Sequence, residues 1–211
     1  MIIGFLGAGQ MAQTLARGWL AAGHQVRLAN SRGPDSLADL VTALGPGASA
    51  VVPAGLAAPD VEVVVLATRW TQLAPAVAGV GPLAGKVVVD TTNNRVGPNP
   101  EDVVDLGGRQ SSEVVADLVP GARLVKAFNH LPIPALGTLR ERPEPLALYL
   151  AGDDPGARGV VAGLIRDLGA VPVDTGGLVA GGLLWAGGGP LTGHGRPLTG
   201  TEAAEIVAGH G

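Results

Sequence analysis

The stretch Ile2–Gly23, "IIGFLGAGQMAQTLARGWLAAG", decides the fold. It opens as an apolar run of a strand's length and turns at Gly7. Met11, Leu15, Gly18 and Ala22 then recur at helical spacing, and Gly23 ends that helix. At the junction stands Gly7-Ala8-Gly9-Gln10-Met11-Ala12, a G-x-G-x-x-A pattern in the context that gives it meaning. Gly7 suits a tight turn, Gly9 lets the backbone approach a pyrophosphate, and Ala12 lets helix and strand pack closely. The start of such a helix offers free N–H groups and partial positive charge to phosphate. A dinucleotide is therefore expected against Gly7, Ala8, Gly9, Gln10 and Met11.

Outward from that unit, short apolar runs alternate with helical patterns. "QVRLAN" reads as the second strand, and Pro34 starts a helix that Gly45 stops. "ASAVV" is a third strand. The nearly continuous apolar run "VEVVVLAT" fits a parallel strand covered on both faces. A helix follows from about Thr71, then the strand "KVVVDTT". Ser111 or Ser112 can cap a helix with Glu113 in its first turn, and "ARLVKAFN" is the sixth strand. The alternation argues for an α/β fold built as a Rossmann-type doubly wound parallel sheet. Beyond it come the strand "LALYLAGD", a helix from Asp154-Pro155 to near Gly169, the strand "AVPVDT" and a glycine-rich stretch. The tail carries Thr199 and Glu202 at capping-box spacing.

The segment "RLANSRGP", Arg27–Pro34, occupies the place where an acidic residue would bond the ribose 2′-OH of NAD, about 20 residues past the glycines. Here it reads Asn30-Ser31-Arg32. A carboxylate would repel a 2′-phosphate. Asn30 removes that repulsion, Ser31 can donate a hydrogen bond, and Arg32 offers a planar fork matched to phosphate. NADP(H) is the expected ligand, and Arg27 is expected as an exposed strand residue. The polar, proline-rich segment Leu139–Leu146 is the boundary candidate. It separates an NADP-binding Rossmann domain, 1–138, from a small C-terminal α/β lobe, 139–211.

Composition narrows the partners. The 211 residues are 46% hydrophobic and 15% charged, with a formal net charge of -4. No run of Lys or Arg exists, which argues against nucleic acid and anionic membrane. The absence of Cys removes disulfides and thiolate nucleophiles. No signal peptide is read at "MIIGFLGAGQ". The uncharged stretch Thr175–Gly193 is broken by Gly-Gly pairs and lacks flanking anchors, so no membrane span is expected. A cytoplasmic location follows as the default. The four His lie far apart without ligand spacing, so no metal is expected. His24 and His210 read as surface residues.

Taken in order, "GFLGAGQMA", "LANSRGP", "VVVDTTNN", "LVPGARLVKAFN", "AGDDPGARGVVAGLIRDLGAVPVDTG" and "GGPL" resemble the coenzyme F420-dependent NADP oxidoreductases over nearly the whole chain. That group is similar to the cytosolic reductase domains of the STEAP metalloreductases. The resemblance implies hydride transfer between NADP(H) and the 5-deazaflavin ring of coenzyme F420, stacked in a cleft under the C-terminal lobe. Related chains are often dimers, which implies a homodimer here. Ligands sit at the carboxyl ends of parallel strands. Thr68, Arg69 and Trp70 are accordingly expected near the pyrophosphate or nicotinamide ribose, and Asn93 near the ribose or carboxamide. Asn94 departs from the family's Asn-Pro-like pair.

Ala127-Phe128-Asn129 matches the family's "AFN" signature, which places Ala127 against the cofactor and Asn129 beside the nicotinamide as a catalytic candidate. His130 stands where the family more often has Thr or Ser. It is a second catalytic candidate, as proton donor or carbonyl-orienting group, with structural packing as the other reading. Gly176, Gly177 and the run Gly187-Gly188-Gly189-Pro190-Leu191 offer a platform for a flat ring. Trp185 either stacks on the acceptor or seals the lobe. Arg140, Arg142, Arg158 and Arg196 are the basic candidates for an anionic acceptor tail. Asp153 and Asp154 read as helix caps and Asp174 as structural. A flavin, an imine or an enone, with His130 or Tyr149 as proton donor, are the alternative acceptors. A non-catalytic NADP(H) sensor is the alternative of a different class.

Overall fold

Strand β1 (Ile2–Leu6) and helix α1 (Gln10–Ala21) form around Gly7 as the motif requires. The structure, a computed structural model, describes residues 1–97, 99–187, 189–194 and 196–209. Gly188 and His210 of the sequence reading lie outside them. Gly7 takes a φ of 107°, and a Cβ there would run into the carbonyl of Ala67. The inward face of α1 is Ala12, Leu15, Ala16 and Trp19, not the expected Met11, Leu15, Gly18 and Ala22. Trp19 accounts for the rotation. Its ring lies between Phe5 and Phe128, with centroids 5.6 and 5.7 Å away. Its Nε1 donates to the carbonyl of Leu164 at 2.9 Å, which satisfies the buried indole.

The remaining elements follow the alternation. They are β2 (Gln25–Ala29), α2 (Ala38–Leu44), β3 (Ala48–Ala50), β4 (Val63–Leu66), α3 (Trp70–Ala78), β5 (Val87–Asp90), α4 (Ser111–Leu118), β6 (Arg123–Ala127) and α5 (Ile133–Gly137). After these come β7 (Ala147–Gly152), α6 (Pro155–Asp167), β8 (Val171–Asp174), α7 (Leu178–Leu183) and α8 (Gly200–Ala208). All eight strands join one sheet in the order β3-β2-β1-β4-β5-β6-β7-β8. Strands β1 to β6 run parallel. Both faces are covered. Ile3, Phe5, Val63 and Val65 pack under α1 and α6, while Leu6, Val64, Leu66 and Val88 pack against Leu73 and Val77 of α3. Alternation of this kind inside an apolar run is what a two-sided parallel strand requires.

Several local expectations are corrected. Pro34 opens a 3-10 turn, Pro34–Leu37, and α2 itself begins at Ala38, closing at Gly45 with φ 84°. Gln110 precedes α4 as its cap residue, in place of Ser111 or Ser112, because its N–H donates to the Glu113 carboxylate at 2.7 Å. Helix α7 arises inside the glycine-rich stretch. Gly181 makes it possible, since a Cβ there would lie 2.6 Å from the Thr175 carbonyl oxygen. Arg27 is half-buried rather than exposed, held bidentately by Asp60 at 2.9 and 2.5 Å. His24 is no free surface residue either, because its Nε2 lies 2.9 Å from the Asp167 carboxylate.

The sheet continues across Leu139–Leu146. Strand β7 pairs antiparallel with β6, and β8 parallel with β7. This reversal sends β7 into the sheet at the carboxyl end of β6. The turn after β8 therefore falls at the opposite end, where the carbonyl of Gly176 accepts from the Gly152 N–H. Among the described residues no helix is long and apolar enough to cross a membrane.

Candidate active site

The carboxyl ends of β1, β2, β4 and β5 frame three adjoining crevices, all lined by Thr68. The first lies along the turn from Gly7 to Gly9 and reaches Asn30, Arg32 and Arg69. The second sits between Asn30, Ser31, Pro53, Pro75 and Ala76. The third, of about 520 Å³, runs from Met11 and Trp70 to Thr92, Asn93, Arg95 and Ile133. A volume of that size suits a small-molecule ligand. Among the described residues no Asp or Glu lines any of the three.

Helix α1 points its N-terminus into this region with no capping side chain and no acid in its first turn. Gly9 precedes it in extended conformation, and a Cβ there would meet no protein atom within 4 Å. Gly7 is thus required by the protein's own backbone, whereas Gly9 is not.

The loop after β2 is tied by Asn30. Its Oδ1 accepts the Arg32 N–H at 2.9 Å, and its Nδ2 donates to Ser36 Oγ at 2.9 Å. Ser31 and Arg32 are left exposed. Among the described residues, no protein group holds the guanidinium of Arg32 or of Arg69. Arg27, Arg109, Arg158 and Arg196 are by contrast paired with acids. Arg69 ends the loop after β4 and lines both the first and third crevices.

At the tips of β5 and β6, Asn93 lines the third crevice and Asn129 stands behind it. Asn129 Nδ2 donates to Asn93 Oδ1 at 3.0 Å, and Asn93 Nδ2 donates to the Asn129 carbonyl at 3.1 Å. Asn129 Oδ1 is buried without a partner among the described residues. Phe128, just before it, holds φ 66°, a left-handed conformation that a bulky residue adopts only at a cost. Gln10 and Ala127 line none of the three crevices. Gln10 is exposed at the start of α1, and Ala127 is wholly buried in the core, where it packs.

His130 also lies away from the three crevices. Its ring stacks on Tyr149 at 4.1 Å and lies 5.9 Å from Trp185, with Tyr149 and Trp185 5.4 Å apart. Burial pushes its pKa down to about 4, and the ring sits 3.4 Å from the Ala147 carbonyl through Nε2. Tyr149 is buried too, its hydroxyl donating to the Leu191 carbonyl at 3.3 Å, and burial raises its pKa. Trp185, 5% exposed, seals this cluster.

The glycines after β8 stand apart from the crevices. Gly176 and Gly177 follow the turn at the opposite end of the sheet. Gly189 is explained by packing, since a Cβ would strike the Leu183 and Leu184 carbonyls. Three of the four basic tail candidates are engaged within the protein: Arg140 with the Asp167 carbonyl, Arg158 with Asp174, and Arg196 with Glu202. Asp154 caps α6 through the Ala157 N–H, and Asp153 accepts the Leu178 N–H at the start of α7.

Sequence reasoning missed one pair beneath the site. Lys126 of β6 donates to Asp90 of β5 at 2.7 Å, and both are buried. The signal was present: a Lys within the apolar strand "LVKAF" and an Asp closing "VVVD".

Residues 2–94 match the profile of the NADP oxidoreductase, coenzyme F420-dependent family. A hypothetical protein from Sinorhizobium meliloti is 38% identical and superposes with a TM-score of 0.80, over 94% of this chain and 93% of that one. A proposed F420-dependent NADP-reductase from an Arthrobacter species superposes at 0.71 with 24% identity, over 83% of this chain and 84% of that one. A Streptomyces aurantiacus imine reductase superposes at 0.65 with 19% identity, over all of this chain and 72% of that one, a likeness of fold. The matched region runs from the start of β1 to Asn94 and so contains most of the residues that frame the crevices. By this match residues 2–94 of the chain belong to the coenzyme F420-dependent NADP oxidoreductase family.

Proposed function

We propose that the protein transfers a hydride between NADP(H) and a planar acceptor, with the deazaflavin coenzyme F420 as the acceptor. One observation carries the cofactor half. Among the described residues, an uncapped helix N-terminus and the unpaired guanidinium groups of Arg32 and Arg69 share crevices that no carboxylate lines. Gly9 supports the same reading, because the open space over its Cα suits close backbone approach by a phosphate.

In this reading Gly7, Ala8, Gly9, Gln10 and Met11 offer backbone to the pyrophosphate, with Arg69 at its side. Ser31 and Arg32 take the 2′-phosphate. Thr68 and Asn93, backed by Asn129, fix the nicotinamide ribose and carboxamide. Met11, Trp70 and Ile133 exclude water from the pyridine. Bound NADPH would supply the hydride, so the protein's contribution is placement. The segment 139–211 packs beside this region, with Tyr149 and Trp185 stacked on His130 away from the three crevices.

The third crevice bears on the acceptor. Among the described residues its lining holds Thr hydroxyls and Arg guanidinium groups but no His, Tyr or carboxyl. An imine needs a proton donor beside the hydride path. A deazaflavin ring, which can take its proton from solvent at its edge, suits the crevice better. The test mixes pure protein with NADPH and oxidised coenzyme F420 and follows deazaflavin absorbance. FMN and a cyclic imine replace the acceptor in parallel, and NADH replaces NADPH. Bleaching of the deazaflavin with NADPH supports the proposal. Turnover of the imine alone, or no NADPH binding, sinks it.

A further inference from the structure

The buried ion pair under the strand tips has no part in holding the cofactor directly. Asp90 is 0% exposed and Lys126 4%. The two are register partners on β5 and β6. The ammonium of Lys126 donates to Asp90 Oδ2 at 2.7 Å, to the Thr92 carbonyl at 2.5 Å and to Ser111 Oγ at 3.2 Å, which uses its three protons. Asp90 Oδ1 accepts from the Thr92 N–H at 2.8 Å and from Thr92 Oγ1 at 2.7 Å. Thr92 is thereby gripped at its amide, hydroxyl and carbonyl. On one side of it, Thr91 Oγ1 donates to the Leu66 carbonyl at 2.9 Å. On the other, Asn93 exchanges hydrogen bonds with Asn129.

A packed apolar pair of similar volume would serve stability as well or better, since desolvating two charges is expensive. What an apolar pair cannot do is direct the three polar groups of Thr92. We infer that Lys126 and Asp90 are positioning residues. They set the 91–93 turn, and through Asn93 the Asn129 side chain, in the register from which the nicotinamide half of the cofactor is held. The inference rests on the cofactor reading above, and it predicts that the two halves of the cofactor respond differently to loss of the pair.

The experiment compares NADPH with 2′,5′-ADP, which carries only the adenosine-phosphate half. Both dissociation constants and the thermal midpoint are measured on the full chain, wild type and Asp90→Asn/Lys126→Met. The neutral pair leaves no unpaired charge in the core. The expected result is a 2′,5′-ADP constant within about twofold of wild type and an NADPH constant raised about tenfold, equivalent to about 1.4 kcal/mol. Asp90→Asn/Lys126→Gln keeps an amide donor at position 126 and gives a second route should the Met variant fail to fold. It is expected to raise the NADPH constant about threefold with 2′,5′-ADP unchanged. Folded variants that keep both constants overturn this inference alone. So does equal weakening of both ligands, which is the mark of a merely structural pair. Wild-type protein that binds neither ligand overturns the cofactor reading and this inference with it.

Discussion

Asn93 and Asn129 hold each other across the tips of neighbouring strands, each amide donating to the other residue. One face of the pair meets the crevice through Asn93, and Asn129 Oδ1 is buried behind it without a partner. Groups so joined are not independent. Asn93→Ala and Asn129→Ala should each weaken NADPH binding, and the double variant should be little worse than either single one. A double-mutant cycle on the NADPH constant should return a coupling of about 1 kcal/mol. Additive losses would show that the two side chains act separately.

Gly7 and Gly9 separate what the fold needs from what the ligand needs. Gly7→Ala must accommodate a Cβ at φ 107° against the Ala67 carbonyl and should cost about 3 kcal/mol or more of stability. Gly9→Ala places its methyl in open space in an extended conformation, so stability should stay within about 0.5 kcal/mol. Its NADPH constant should nonetheless rise about tenfold or more. Denaturant melts and binding titrations on the two variants check both halves.

Among the described residues the Arg32 guanidinium has no protein partner to lose. Arg32→Ala should therefore leave the melting midpoint unchanged. If the guanidinium meets a 2′-phosphate, the variant should lose about 1.5–3 kcal/mol of NADPH affinity, the range for hydrogen bonds to charged groups. NADH binding should barely move. Equal losses for the two nucleotides would place Arg32 elsewhere on the ligand.

His130 makes a prediction in pH. Burial lowers its pKa from 6.5 to about 4, so the folded protein resists a proton that the unfolded chain accepts. Its contribution is fully present above about pH 6.5 and is lost as pH falls towards 4, below which it levels off. The loss amounts to about 3 kcal/mol. His130→Phe, which keeps a ring between the neighbouring aromatics, should flatten that part of the stability–pH curve. A slope unchanged in the variant would assign the acid sensitivity to another group. At pH 7 the neutral ring has no proton on both nitrogens to give, so the turnover profile should show no inflection from it.

Much of the fold around the glycine turn was legible because its signals are local. Gly7 must turn the chain, the run at Val63–Leu66 must be covered twice, and Asn30-Ser31-Arg32 occupies a fixed place after the second strand. Thr199 and Glu202 form the expected cap, with the Thr199 N–H donating to the carboxylate at 2.8 Å. What escaped was long-range. "LALYLAGD" is equally apolar whether its strand runs parallel or antiparallel, so nothing in it announced the reversal of β7. That reversal moved Gly176 and Gly177 away from the crevices. His130 stood next to a site signature, yet Tyr149 and Trp185, distant in sequence, captured its ring. The left-handed Phe128 has no local sign at all. The Asp90–Lys126 pair could have been found: a charge inside a buried strand demands a partner, and aligning the two apolar runs brings these residues level.

The direction of β7 also decides where the molecule can be enlarged. The Thr175–Gly177 turn and the start of α6 share the rim remote from the three crevices, so a reporter or tag spliced there would ride clear of them. The Leu139–Leu146 link opens on the rim that carries the crevices, where added length would crowd them. A single inverted strand thus gives this scaffold one working mouth and one edge free for cargo.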